Sequence, residues 1–270
     1  MTLAPREIAP QLATVCATLE RNLRDNLRAI HLYGSAVDSG LKPHSDIDLM
    51  VCVAAPLSQA TQQALMKALL PLSAPPGSGS GVRPLEVTIV ALGEVVPWRY
   101  APRREMQFGE WLREDVLAGR FEGAQPDIDL AILFTKLRQH SIALHGPDAA
   151  RLFEAVPASD VRRALAETIQ MWNTEADWRG EERNVMLTLA RIWFTASTGS
   201  ITSKEAAASW AAERMRPECG ALMMDAANAY ISGLDDRLAR SPERVEEAIR
   251  NCKDEIARVL ACPAVAPGAA

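Results

Sequence analysis

The sequence predicts an α+β protein, an N-terminal mixed sheet with helices followed by a C-terminal all-α helical bundle. Two observations carry this. Three short apolar runs, "LRAIHLY", "DIDLMVCV" and "LEVTIVAL", all lie before Trp98 and read as strands. From Pro126 onward nearly every stretch spaces its apolar residues at the helical period. With 270 residues, 48% of them hydrophobic, the chain can fill two ordinary cores. The expected division is 1–157 for the sheet-bearing domain and 158–262 for the helical one, with a disordered tail over 263–270.

Each element has its own signal. Ile8, Leu12, Val15, Leu19 and Leu23 mark an opening helix over about residues 7–26. "LRAIHLY" is the first strand and Gly34 breaks it; "DIDLMVCV" is the second. "LSQATQQALMKALL" returns to helical spacing with Ser58 as its N-cap. "SAPPGSGSGVRP" is a loop by composition, and "LEVTIVAL" is the third strand. "EMQFGEWLREDVLAG" reads as partly helical. The helical series then runs from "DIDLAILFTKLRQHSIAL" to "SPERVEEAIRNCKDEIARVL", with Ser159 and Ser203 as further N-caps.

Composition removes several functional classes. No stretch has the unbroken apolar length of a membrane span, and "MTLAPREIAP" lacks the form of a secretory leader. The five cysteines are scattered without a CxxC, which points to a reducing cytoplasm. The net charge is −5 and there is no Lys/Arg run, which argues against a nucleic-acid partner and suits a small cationic one.

One stretch poses a chemical question. "YGSAVDSGLKPHSDIDLMV" places Asp46 and Asp48 two residues apart at the head of an apolar strand. Residues i and i+2 of a strand share a face, so the two carboxylates lie side by side and need a cation between them. Glu86 opens the third strand and is its one acidic residue. With the second and third strands adjacent, the three carboxylates form an all-oxygen set suited to Mg2+, with room for two ions. Gly34 lets backbone N–H groups approach a phosphate, and Ser35 and Ser45 offer hydroxyls. Ser35 also fits a plain helix N-cap. "DIDL" recurs at Asp127 to Leu130 without a Gly-Ser before it. There Asp127 suits a helix N-terminus, and Asp129 is left open as a ligand contact.

A Gly-Ser, a short excursion, Asp-x-Asp and a third carboxylate on the next strand resemble the nucleotidyltransferase superfamily. The wider text, "AIHLYGSAVDSGLKPHSDIDLMV", "EVTIV", "VPWRY", "MQFGEWLRED" and "RNVMLTLARIW", resembles the streptomycin/spectinomycin 3″-adenylyltransferases from about Leu27 to Lys253. The resemblance implies a nucleotidyltransferase-like N-terminal sheet and Mg2+-dependent transfer of AMP from ATP to a hydroxyl of streptomycin or spectinomycin. It implies that Asp46, Asp48 and Glu86 hold metal and that Glu86 is also the base. It places Arg191, Lys204 and Tyr230 at ATP, beside Gly34, Ser35 and Ser45, and Trp111, Trp172, Asp177 and Glu181 at the drug. Glu181 stands where the family usually has Asp. A cytoplasmic monomer with no nucleic-acid or membrane partner is the accompanying expectation.

The residues themselves leave alternatives open. "MWNTEADWRGEERNV" is a trap for a polycation, with indoles and carboxylates, or a solvated loop with one Trp in the core. Trp111 is a drug contact or a buried structural indole. Arg191, Lys204 and Tyr230 are nucleotide contacts, or salt-bridge partners and a packed aromatic. A nucleotidyltransferase that labels a protein or nucleic acid, and a silent antitoxin-like binding module, are the rival functions.

Overall fold

The computed structural model describes residues 4–235 and 237–261. The tail expected over 263–270, and Cys262, lie outside the described residues. Chain contacts divide the protein into two compact units, Met1–Val156 and Pro157–Ala270.

The first unit opens with α1 (Ala9–Leu23), β1 (Leu27–Tyr33), α2 (Ser35–Asp38), β2 (Ile47–Val53) and α3 (Gln59–Leu69). It continues with β3 (Leu85–Ala91), α4 (Leu92–Val95), β4 (Arg103–Arg104), β5 (Met106–Phe108), α5 (Arg113–Leu117) and β6 (Gln125–Pro126). It closes with α6 (Leu130–Gln139), β7 (Ile142–His145) and α7 (Ala149–Leu152). Five strands form one sheet in the order β5-β3-β2-β1-β7, and β4 pairs with β6 apart from it. Within the large sheet only β2 and β3 run parallel. A parallel pair needs a crossover, which α3 supplies. The Ser58 Oγ caps that helix by accepting from Thr61 N–H at 3.2 Å.

Both faces of the sheet are covered, which is why its central strands read as continuous apolar runs. On one face Leu12, Val15 and Leu19 of α1, with Leu65 and Leu69 of α3, pack against Leu32, Leu49, Val51, Val87 and Ile89. On the other, Leu130, Phe134 and Leu137 of α6 and Phe153 cover Tyr33, Met50, Cys52 and Val90. Phe134 and Phe153 stack there with ring centroids 4.6 Å apart. Burial pushes the Cys52 thiol up to about 12, so it serves as a small hydrophobe.

Two of these expectations are corrected. "DIDLAILFTKLRQHSIAL" is not one helical stretch: α6 ends at Gln139, and Ile142–His145 is an edge strand antiparallel to β1. A run as short as Ile-Ala-Leu fits either period, so spacing alone misassigns it. "EMQFGEWLREDVLAG" is partly helical as expected: the edge strand β5 opens it, a 3-10 turn spans Glu110–Leu112, and α5 follows from Arg113. Ser159 lies inside the first turn of its helix, where Pro157 occupies the N-cap.

The second unit is helical: α8 (Ala158–Thr168), α9 (Glu175–Trp178), α10 (Glu182–Thr198), α11 (Lys204–Ala212), α12 (Pro217–Ser232) and α13 (Pro242–Ala261). α10 is the central helix, buried along Val185, Leu189, Ile192, Trp193 and Ala196, with α11, α12 and α13 packed around it. It stops at Gly199, whose φ of 73° is a left-handed C-cap that glycine adopts without steric cost. Ala207, Ala208 and Ala211 let α11 approach α12 closely, and Gly220 has no room for a Cβ beside the Ala212 carbonyl. α13 contributes Val245, Ile249, Cys252 and Ile256 to the same core. Burying each such aliphatic side chain contributes about 1.5–3 kcal/mol before entropy is counted. No helix among the described residues is long and apolar enough to cross a membrane.

Candidate active site

β2 and β3 share one burial pattern in which every position is buried except the second. Those two positions are Asp48 and Glu86, and they are register partners. Neighbouring strands lie about 4.8 Å apart, so pairing alone sets the two carboxylates side by side. Asp46 precedes β2 by one residue and joins them; one ligand oxygen from each of the three lies within 4.8 Å of the others. Three like charges this close repel strongly without a cation. Three carboxylates offer only oxygen ligands, which is the hard donor set that Mg2+ prefers.

The turn after β1 completes the edge of the cluster. Gly34 has φ 74° and ψ −153°, a region only glycine occupies readily. A Cβ built there would lie 1.8 Å from Asp48 Oδ2. The close approach that glycine permits is therefore to a site carboxylate, a reason that sequence reading did not supply. Gly34 is also the N-cap of α2, which leaves Ser35 as the first residue of that helix rather than its cap. Ser45 is buried, and its Oγ accepts from Lys42 N–H at 2.9 Å, so it braces the loop leading into Asp46. Behind α2, Lys136 Nζ pairs with Asp38 Oδ2 at 3.1 Å and lies 5.8 Å from the Tyr33 ring centroid. α6 thereby tethers the Gly34–Ser35 turn.

Three further residues, Tyr33, Gln107 and Arg104, belong to this surrounding and were not singled out from sequence. Tyr33 is the register partner of Asp48. Burial first, then the Glu86 and Asp48 carboxylates, push its phenol well above the ordinary range, and the Thr88 hydroxyl opposes them. Gln107 on β5 offers Nε2 to Glu86 Oε1 at 3.5 Å, a long contact. Arg104 donates to Gln107 Oε1 and, at 2.9 Å, to Asp127 Oδ2, so it orients the amide with its nitrogen toward Glu86. The signal for Gln107 was a polar residue between apolar Met106 and Phe108, the alternation of a strand. Asp127 lies before α6 rather than on it, and its Oδ1 accepts from Asp129 N–H at 3.0 Å. Its charge serves the approach to that helix and the Arg104 ion pair.

The remaining candidates are placed as follows. Trp111 is 58% exposed and lies over Gly109, so the buried structural reading does not hold for it. In the helical unit the core indole of "MWNTEADWRGEERNV" is Trp178, 2% exposed, while Trp172 is half-buried. Asp177 is exposed and closes a capping box with Thr174. Its Oδ2 accepts from Thr174 N–H at 2.7 Å and Asn173 N–H at 2.9 Å, bonds that hold its carboxyl below the usual range. Glu181 is exposed at the start of α10 and accepts from Asn184 Nδ2 at 2.5 Å. Lys204 and Tyr230 come together, with the ammonium 5.0 Å from the ring centroid. Arg191 is half-buried on α10, which packs against both α11 and α12.

A family model described as aminoglycoside adenylyltransferase, C-terminal domain, matches residues 151–255. An aminoglycoside (3'')(9) adenylyltransferase of Escherichia coli is 51% identical over 254 residues, covering 94% of this chain and 97% of that one. The chain belongs to the aminoglycoside adenylyltransferases. A spectinomycin 9-adenylyltransferase of Staphylococcus aureus is 40% identical over 227 residues, covering 84% of this adenylyltransferase and 86% of the relative. The crystal structure of spectinomycin adenyltransferase AAD(9) from Enterococcus faecialis, with ATP and spectinomycin, superimposes with a TM-score of 0.86. That likeness has 30% identity and covers 92% of this adenylyltransferase and 98% of that chain. The family that the wider text from about Leu27 to Lys253 resembles is the family found, and the mixed sheet followed by helices is its fold.

Proposed function

We propose that this adenylyltransferase moves AMP from ATP to a hydroxyl of streptomycin, and of spectinomycin, releasing pyrophosphate and so conferring resistance. The observation that carries the reading is the meeting of Asp46, Asp48 and Glu86 at the head of two paired strands in a chain of this family. Asp46, Asp48 and Glu86 would hold Mg2+, one ion or two. When bound, Mg2+ supplies neutralisation of triphosphate charge and alignment of the reacting oxygens. Glu86 accepts the proton of the drug hydroxyl as that oxygen bonds to the α-phosphorus and the bond to pyrophosphate breaks. Gly34, Ser35 and Ser45 in residues 1–157 serve ATP, as do Arg191, Lys204 and Tyr230 in residues 158–262. Trp111, Trp172, Asp177 and Glu181 receive the cationic drug through indole faces and carboxylates. The protein works as a cytoplasmic monomer.

The test uses purified protein, MgATP and a panel of aminoglycosides with pyrophosphate measured. Release should require streptomycin or spectinomycin and stop when EDTA removes the metal. Release that is independent of drug, or that needs a protein or nucleic-acid acceptor, overturns the drug reading. Asp177→Asn should raise the streptomycin KM about tenfold by removing a charge-assisted contact, with spectinomycin changed far less. Equal effects on both drugs would refute a streptomycin-specific role.

A further inference from the structure

We infer that Lys253, on α13, is a positioning residue for the drug-contact segment 172–177. Lys253 Nζ donates to the Trp172 carbonyl at 2.6 Å and to Asn173 Oδ1 at 2.8 Å. Asn173 is gripped from its other side, where its N–H donates to Asp177 Oδ2 at 2.9 Å. One ammonium therefore fixes the main chain at Trp172 directly and the Asp177 carboxylate through a single residue.

The segment needs such a tether. Asn173, Thr174 and Asp177 are exposed, and α9 has four residues, too few to hold a helical turn alone. Trp178 anchors its far end in the core. Lys253 supplies the matching anchor at the near end. It follows Cys252 on the edge of the buried face of α13, so its position is set by the helix core rather than by the loop. Burial holds the Lys253 ammonium below its ordinary range, and the Asp177 carboxylate, close enough to act on it, opposes that. The charged donor matters because bonds from an ammonium are stronger than neutral ones.

This assignment rests on the reading of Trp172 and Asp177 as drug contacts, and two measurements separate the two claims. Hydrogen–deuterium exchange compares wild type with Lys253→Met, which keeps the stem and removes the charge. Exchange over 172–177 should rise several-fold while α10 stays unchanged; unchanged exchange in the segment overturns the tether whatever the substrate. In turnover, Lys253→Met should raise the streptomycin KM about tenfold with the ATP KM within about twofold, and Lys253→Arg should recover most of the loss. Combining Lys253→Met with Asp177→Asn should cost no more than Asp177→Asn alone, because the two act as one unit. Additive losses, or parallel loss of ATP and drug affinity with a lowered Tm, overturn the positioning role. A wild-type protein that does not modify streptomycin removes the drug reading instead, and exchange alone then decides the tether.

Discussion

Glu86→Gln is expected to lower kcat about a thousandfold while ATP affinity stays within about threefold, the range seen when a positioned general base is lost. That loss corresponds to about 4 kcal/mol of transition-state stabilisation. The amide is isosteric with the carboxylate and still offers one oxygen, so the packing of β3 is preserved. What it cannot do is accept the hydroxyl proton. Single-turnover pyrophosphate release, a direct ATP titration and a thermal melt make the measurement. A kcat within tenfold of wild type removes the base assignment. Reduced ATP binding with an unaltered chemical step would instead assign Glu86 to the nucleotide alone.

Gly34→Ala is expected to be the most damaging change outside the acidic residues. The main chain at Gly34 sits at φ 74° and ψ −153°, where an alanine is strained by about 1–3 kcal/mol. The added Cβ would also lie 1.8 Å from Asp48 Oδ2 and 2.7 Å from Asp48 Cγ. The added carbon would displace the Asp48 carboxylate, and that takes it out of the cluster with Asp46 and Glu86. A displacement on the order of 1 Å costs catalysis about a hundredfold. The Mg2+ concentration for half-maximal activity should rise together with the fall in kcat, while circular dichroism stays native. An active variant with wild-type Mg2+ dependence would show that Asp48 does not need its present position.

The three central strands and the acidic cluster were legible because their signals are local. β1, β2 and β3 are seven-residue apolar runs, and Asp48 and Glu86 are the acids that interrupt two of them. The edge strands were not, since Met106–Phe108 and Ile142–His145 are too short for period 2 to outweigh period 3.6. Arg104 and Gln107 escaped notice for the same reason: without β5 nothing places them near Glu86. The structural part of Asp177 was legible and passed over, because Thr174-x-x-Asp177 is a capping-box pattern. Lys253 carries no local signal at all, being 80–81 residues from the atoms that it holds.

The pairing of Asp48 with Glu86 has one more implication. The spacing of their main chains is dictated by the ladder, so side-chain repacking away from the carboxylates themselves has little leverage over it. Slippage of β3 by a single residue would carry Glu86 to the opposite side of the sheet. The reactive geometry therefore persists or vanishes together with the cooperative unfolding of this unit, and thermal inactivation should coincide with its melting rather than precede it.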